Sequence, residues 1–189
     1  MNLTHIQLDS VISTNDEAIN LIKKKNFLKP TILSANNQKK GRGTHGRKWV
    51  SKKGNIFISI VFNLDNKKLK FYQISILNPI IIKNILKKYL KNKISIKPPN
   101  DLLVKKKKIC GILQEVITFK EKKYLIIGIG INSKISPKSK KFKHGFLEKY
   151  SNITINNKKI ISDIKKSYEK FISDISKHKF VEIKKKLEI

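Results

Sequence analysis

The sequence predicts an α+β fold, in which a mixed β-sheet carries helices packed mainly on one face. Apolar and polar residues alternate through the middle of the chain, which predicts strands, whereas segments on either side show apolar residues at helical spacing. No internal repeat and no Gly/Ser-rich linker interrupts the 189 residues. One principal domain, covering residues 1–189, is therefore expected.

The first half of the chain predicts two helices and two strands. STNDEAINLIKKKN, from Ser13, opens with a capping residue and carries acidic residues in its first turn, which is typical of a helix. PTILSA predicts a short strand and NIFISIVFNL a half-buried one, with a long polar loop over residues 36–54 between them. FYQISILNPIIIKNILKKYL predicts a helix that Pro79 either kinks or begins.

The second half predicts four strands joined by turns and then one helix. ISIK predicts a strand that ends at the rigid segment PPND. DLLV and ICGILQEVITF predict strands around a lysine-rich turn, and the turn KEKK leads on into YLIIGIGIN, which completes a hairpin. ISDIKKSYEKFISDISKHKF predicts the last helix, with one apolar face.

Composition limits the surroundings in which the protein works. A single cysteine, Cys110, excludes an intramolecular disulfide, and the start MNLTHIQLDS lacks the pattern of a secretory signal. The most apolar runs are shorter than the roughly 20 residues that a membrane helix needs. A cytoplasmic protein without a membrane partner is therefore expected.

A formal net charge of +30 raises the question of nucleic-acid binding. Nearly all positive charges are lysines, scattered among isoleucines and asparagines, whereas base recognition favours the forked arginine side chain. An A/T-biased coding sequence gives the same mixture. The charge is therefore interpreted as a general surface property, and a non-enzymatic basic nucleic-acid-binding protein stays an alternative.

The stretch GRGTHGRKW, residues 41–49, contains both arginines, the only tryptophan and three of the eight glycines. Its letters fit G-x-G-x-x-G, but a strand follows instead of the helix that a dinucleotide-binding site requires. Glycines let backbone N–H groups face anionic oxygens, and Arg42 and Arg47 supply charged forks for the same oxygens. Trp49 adds a flat apolar wall. The stretch therefore predicts a loop that binds an anionic, nucleotide-like ligand.

Four motifs, in this order, resemble those of the biotin–protein ligases. STNDEA resembles the family's helix start, and GRGTHGRKWVS resembles GRG-x-x-GR-x-W-x-S. KPPND followed by KICGILQE resembles K-W-P-N-D followed by K-x-x-G-I-L-x-E, and GIGIN resembles G-x-G-I-N. The resemblance covers the catalytic core, from Ser13 to Asn132.

The resemblance implies an enzyme, a biotin–[acetyl-CoA-carboxylase] ligase, that uses ATP and Mg²⁺. Biotin and MgATP would form biotinyl-5′-adenylate, and the biotinyl group would pass to a lysine of the biotin carboxyl carrier protein of acetyl-CoA carboxylase. A single catalytic domain is expected, with no N-terminal helix-turn-helix, no specific DNA binding and no complete C-terminal β-barrel-like domain. The oligomeric state is left open, and a homodimer through a sheet edge is the family's common arrangement.

Positions that match the family's motifs are the predicted site residues, and Lys108 and Arg42 are the predicted catalytic pair. The residues predicted at the biotin site are Ser13, Thr14, Asn15, Gln38, Arg42, Gly43, Thr44, Trp49, Lys108, Gly111, Gly128 and Gly130. The residues predicted at the ATP site are Arg42, Arg47, Lys97, Asn100, Asp101, Lys108 and Asn132. Asp101 is also the predicted Mg²⁺ ligand, since magnesium prefers carboxylate and water oxygens.

Some of these residues also have purely structural interpretations. Ser13 is suited to cap a helix and Asp101 to stabilise a turn. The glycines of GIGIN would also permit close strand packing. Lys108 ends a run of four lysines, and only the family spacing from Asp101 selects it as the one that faces the ligand.

Two positions depart from the family pattern, and the superfamily also offers an alternative enzyme. Thr44 stands where the family most often has arginine, which predicts weaker retention of the adenylate, and Pro98 replaces a tryptophan. A lipoyl or octanoyl transferase of the same superfamily is the alternative, since some of these enzymes pair a catalytic cysteine with a lysine. Cys110 lies two residues after Lys108, so on a regular strand both would face one side.

Overall fold

A computed structural model describes residues 2–24, 29–65, 67–137 and 143–188. The helices and strands, in chain order, are β1 (Thr4–Val11), α1 (Thr14–Lys24), β2 (Thr31–Gln38), β3 (Gly41–Arg42), β4 (Lys48–Trp49), β5 (Ile56–Asn63), α2 (Phe71–Leu86), β6 (Ile94–Lys97), β7 (Asp101–Val104), β8 (Lys107–Phe119), β9 (Lys122–Ile131), α3 (Asn157–Lys177) and α4 (Phe180–Glu188). Short 3₁₀ turns cover Thr44–Gly46, Lys87–Tyr89 and Leu147–Tyr150.

Seven of these strands form one mixed sheet in the order β1-β2-β5-β9-β8-β7-β6. Among the described strands, β1 and β2 run parallel and the other neighbours in the sheet run antiparallel. The predicted hairpin is confirmed: β8 and β9 pair from Cys110 and Ile131 to Phe119 and Lys122. β3 and β4 pair only with each other, inside the stretch predicted as a loop.

The two faces of the sheet carry different numbers of helices, as predicted. α2, α3 and α4 pack on one face, over a core that includes Ile58, Ile112 and Ile129. α1 packs on the other face, where Ala18 and Ile22 join a smaller core. Successive strand residues point to opposite faces, so β5, β8 and β9 supply side chains to both. None of the described helices has the length and apolar character to cross a membrane.

Pro79 lies inside α2 and does not begin it, since the helix starts at Phe71. A proline has no N–H to donate to the carbonyl four residues earlier, which is that of Ser75. The Gln114 side chain of β8 supplies a donor instead, with Nε2 at 3.5 Å from the Ser75 oxygen. The predicted helix therefore continues past Pro79 with an outside contact at the interrupted position.

Two elements differ from the prediction. β1 was not expected, because its mostly exposed residues at the sheet edge give a weak apolar pattern. The last helix predicted over residues 161–180 is confirmed for residues 161–177, but it is not a single helix to residue 180. α3 begins earlier, at Asn157, where the Asn156 side chain accepts a hydrogen bond from the Lys159 N–H, and α4 follows an extended residue at His178.

Candidate active site

A cavity of about 500 Å³ lies on the α1 face of the sheet. Its floor is formed by β5, β8 and β9, and its sides by the start of α1 and the stretch 41–50. All but two of the residues predicted for the biotin and ATP sites line it. They are Ser13, Thr14, Asn15, Gln38, Arg42, Gly43, Thr44, Arg47, Trp49, Asn100, Asp101, Lys108, Gly111, Gly128 and Gly130.

Three glycines leave the floor of the cavity without side chains. Gly111 of β8 lies directly opposite Gly130 of β9, and a Cβ on Gly130 would come within 2.5 Å of Trp49 Cε2. A Cβ on Gly111 would come within 2.8 Å of Trp49 Cζ3, and one on Gly128 would overlap the Asn15 amide. The space that these glycines create is therefore taken by the side chains of Trp49 and Asn15.

A hydrogen-bonded group of polar side chains forms one end of the cavity. The Thr14 N–H donates to Gln38 Oε1 at 2.9 Å, which satisfies one of the free donors at the start of α1. Ser59 Oγ lies 2.8 Å from Thr14 Oγ1 and 2.5 Å from Asn15 Oδ1. Gln38 Nε2 donates to Ser51 Oγ at 2.9 Å. This end suits the polar head of a ligand whose body lies along the apolar wall.

Lys108 is the lysine of the KKKK run that reaches the cavity. Lys105 and Lys106 are exposed in the β7–β8 turn, whereas Lys108 lines the wall and is half-buried. Its Nζ lies 2.7 Å from Asp101 Oδ1 and 5.2 Å from the centre of the Trp49 ring. An ammonium group at this position places a point charge beside both a carboxylate and an aromatic face.

The two arginines of the stretch 41–49 have different surroundings. Arg42 donates to both Glu115 oxygens, at 2.7 and 2.8 Å, and its Nε lies 2.9 Å from Asp16 Oδ1. Arg47 is exposed and donates to the Thr44 carbonyl and hydroxyl oxygens, at 3.1 and 2.7 Å. The fork of Arg42 is thus occupied by carboxylates, whereas Arg47 contacts only uncharged acceptors in the described residues.

Sequence and structure comparisons identify the family. Residues 8–132 match the biotin/lipoate A/B protein ligase family. The chain belongs to this family. It is 30% identical to the bifunctional ligase/repressor BirA of Bacillus spizizenii over 186 residues, which cover 95% of this chain and 57% of the relative.

Solved biotin protein ligases share the fold. The biotin protein ligase of Aquifex aeolicus, in complex with biotin and ATP, superposes with a TM-score of 0.81 at 28% identity and covers 97% of this chain and 76% of that chain. The biotin acetyl coenzyme A carboxylase synthetase of Helicobacter pylori, with bound biotinylated ATP, has a TM-score of 0.69 at 26% identity, covering 89% and 75%. The family's fold therefore extends over nearly the whole chain.

Two residues matched to family positions lie outside the cavity wall. Lys97 is exposed at the end of β6, where it pairs with Asp101. Asn132 is fully buried, and its Nδ2 donates to the Gly145 carbonyl at 3.1 Å. The Gly145 N–H in turn donates to the Lys108 carbonyl at 2.9 Å. Asn132 therefore fastens residues 143–146 against β8, and its contact with a nucleotide stays a prediction.

The family motifs do not mark His144, which also lines the cavity. Its backbone bridges to that of Lys108, so the two residues lie side by side at the cavity wall. Burial lowers the pKa of His144, and the positive charge of Lys108 lowers it further. The imidazole is therefore neutral near pH 7. His144 follows the last motif and stands among lysines, so no sequence signal identifies it.

The expectation that Cys110 and Lys108 face one side of a strand is wrong. Cys110 is fully buried in the core under α2 and α3, whereas Lys108 lines the cavity. A bulge causes this change of face: Leu102 of β7 pairs with Cys110, but the next residue, Leu103, pairs with Lys108. Burial also raises the pKa of the Cys110 thiol. Cys110 therefore does not reach the cavity and is not placed to act as a nucleophile there.

Among the described residues, the cavity wall offers one carboxylate that could bind magnesium. In the described parts of the chain, no group of three or more His, Cys, Asp or Glu side chains could hold a metal ion. Magnesium that arrives with ATP needs only one or two protein carboxylates, because phosphates and water fill the other positions. Asp101 is the carboxylate on the described cavity wall and fits that need, although it also pairs with Lys108.

Proposed function

We propose that this chain is the catalytic domain of an ATP-dependent biotin–protein ligase. It forms biotinyl-5′-AMP and transfers the biotinyl group to a lysine of the biotin carboxyl carrier protein of acetyl-CoA carboxylase. The observation that carries the proposal is the meeting, in one cavity of about 500 Å³, of the polar start of α1, the Trp49 wall and the Lys108–Asp101 pair. Biotin has the matching sequence of groups: a polar ureido ring, an apolar chain and a carboxylate.

In the first step, the biotin carboxylate attacks the α-phosphorus of ATP. A new O–P bond forms, the bond to the β-phosphate oxygen breaks, and pyrophosphate leaves with the electron pair. The Lys108 ammonium, which lines the cavity beside Asp101, would neutralise both the carboxylate and the phosphate as they approach. Magnesium would neutralise part of the phosphate charge when bound, and Asp101 is the wall carboxylate that would hold it.

In the second step, the neutral amine of the acceptor lysine attacks the acyl carbon of the adenylate. The C–N bond forms, the C–O bond to the phosphate breaks, and AMP leaves while the nitrogen releases a proton. Trp49 and the stretch 41–49 line the side of the cavity that would shield this reactive anhydride from water. A cytoplasmic location, where ATP is available, is part of the proposal.

Pyrophosphate exchange tests the proposal without knowledge of the acceptor. Labelled pyrophosphate should enter ATP in the presence of biotin and not of lipoate or octanoate. Lys108→Ala should lose this exchange, whereas Lys105→Ala, an exposed position in the same lysine run, should keep it. Exchange with lipoate instead of biotin would assign the chain to the lipoate branch of the family. No exchange with any of the three acids would refute the ATP-dependent ligase.

A further inference from the structure

We propose that Glu115 is a positioning residue for the cavity, which acts by joining Arg42 and Asn15 in one ion-paired unit. Glu115 lies on β8, on the same face as the glycine floor, and does not itself line the cavity. Its two oxygens accept from Arg42 at 2.7 and 2.8 Å, and Oε2 also accepts from Asn15 Nδ2 at 2.7 Å. One carboxylate therefore connects the stretch 41–49 with the start of α1.

These contacts belong to a connected series of hydrogen bonds. From Glu115 the series passes through Asn15, Ser59 and Thr14 to Gln38. Gln38 then contacts Ser51, which lies two residues after Trp49, so the series ends just beyond the stretch 41–49. Arg42 near the start of the stretch and Ser51 beyond its end are thus both fixed to the body of the protein.

The stretch 41–49 needs such outside contacts. β3 and β4 have two residues each, and a hairpin of that size is not stable on its own. His45 in the turn between them has φ +55°, a conformation that costs energy for a residue other than glycine. The orientation of Gly43 and Thr44 over the cavity therefore depends on how Arg42 is held.

Charge explains why a carboxylate is needed. Arg42 is half-exposed between Asp16 and Glu115, whose side chains are 37% and 25% exposed, so the more buried partner is Glu115. An ionised carboxylate offers only acceptors, which also fixes the Asn15 amide with Nδ2 toward Glu115 and Oδ1 toward Ser59. A glutamine at position 115 removes the charge and lets both the guanidinium and the amide change partners.

Hydrogen exchange of the full chain measures this role directly. In Glu115→Gln, amides of residues 41–49 should exchange about tenfold faster than in the wild type, as expected for the loss of a charge-assisted hydrogen bond. Arg42→Gln should give at least this increase, because it also removes the contact with Asp16, and the double variant should exchange no faster than Arg42→Gln alone, because both changes break one unit. Glu121→Gln, which removes an exposed carboxylate from the β8–β9 turn, should leave exchange unchanged. Unchanged exchange in Glu115→Gln, or additive increases, would overturn the proposal.

Two further measurements separate positioning from folding and from the proposed activity. Glu115→Gln should keep the melting temperature of Glu121→Gln while its KM for biotin rises. If Glu115→Gln does not fold, Asp16→Asn removes only the contact at Arg42 Nε and should give a smaller increase, and no increase there would contradict the inference. The kinetic part rests on the proposed function. The exchange measurement does not, so a wild-type protein inactive with biotin would refute the ligase and leave the role of Glu115 to be decided by exchange.

Discussion

Substituting Gly130 with alanine should displace Trp49 from the cavity floor. The added Cβ would lie 2.5, 2.7 and 2.8 Å from three atoms of the indole ring, whereas ordinary contact begins at 3.4 Å. The ring must therefore move by about 0.9 Å, since the antiparallel β8–β9 pairing holds the Gly130 backbone in place. Gly130 has no positive φ, so the effect comes from the clash and not from backbone strain.

A displacement of this size is large for a catalytic site. A misplacement of about 1 Å can cost on the order of 100-fold in rate, and overpacking costs about 1–3 kcal/mol of stability. We expect biotin-dependent pyrophosphate exchange to fall by about two orders of magnitude. Trp49 is the only tryptophan of the chain, so a red shift of its fluorescence emission would report the displacement without any ligand.

Gly54→Ala is the matched control for the added methyl group. Gly54 has φ +92° and lies outside the cavity wall, and its Cβ would meet Lys134 only at 3.8 Å. This variant should lose stability through backbone strain while Trp49 emission and exchange stay as in the wild type. If Gly130→Ala keeps both the wild-type emission and wild-type exchange, Trp49 does not pack on the glycine floor and the reasoning is refuted.

Four further predictions concern other parts of the molecule. Thr44→Arg should restore the family's usual residue and reduce the release of biotinyl-adenylate, measured as biotinylation of an unrelated bystander protein; equal release would contradict the role assigned to Thr44. Cys110→Ala should cost about 1 kcal/mol of stability in urea unfolding and leave pyrophosphate exchange per folded molecule unchanged. A loss of pyrophosphate exchange would instead support a reaction that depends on the cysteine. Lys120→Asn combined with Glu121→Gly should raise the free energy of unfolding by about 1 kcal/mol, because both positions have positive φ, as in the type I′ turns that favour Asn-Gly; no gain would mean that the turn is not strained. The hydrogen bond from Lys165, with smaller contributions that include the Leu3 N–H, lowers the pKa of Glu169. The stabilising contribution of Glu169 is therefore present above the ordinary glutamate pKa and is lost as pH falls through the lowered pKa. Glu169→Gln should flatten this acidic part of a curve of stability against pH, and an unchanged curve would exclude the assignment.

The residues of the cavity could be predicted because the motifs occupy positions that the fold brings together. Gly111 and Gly130 belong to motifs on adjacent strands of a hairpin, and the alternation of those strands is visible in the sequence. The start of α1 was visible from Ser13 and the acidic residues that follow it. The matching residues therefore meet in one cavity when β5, β9 and β8 lie side by side in the sheet.

The partners of these residues could not be predicted from local sequence patterns. Arg42 binds Asp16 and Glu115, which are 26 and 73 residues away from it along the sequence, respectively. The face of Cys110 depends on a bulge opposite Leu102, and a bulge shifts every later residue without changing the apolar pattern. Long-range pairing and register, which decided both cases, leave no signal in a short window of sequence.

Along β8, neighbouring residues alternate between the cavity side of the sheet and the side that packs against the helices. Gly111, Leu113 and Glu115 face the cavity side, whereas Ile112 and Gln114 face the helices on the other side of the sheet. Substitutions at the first three positions would change the cavity or the contacts that hold its walls, whereas substitutions at the other two would change the packing of the sheet against the helices. Changes in acyl preference in this fold can therefore arise within a central strand. There, a residue on the cavity side has a neighbour one position away that affects the packing of the helices and not the cavity.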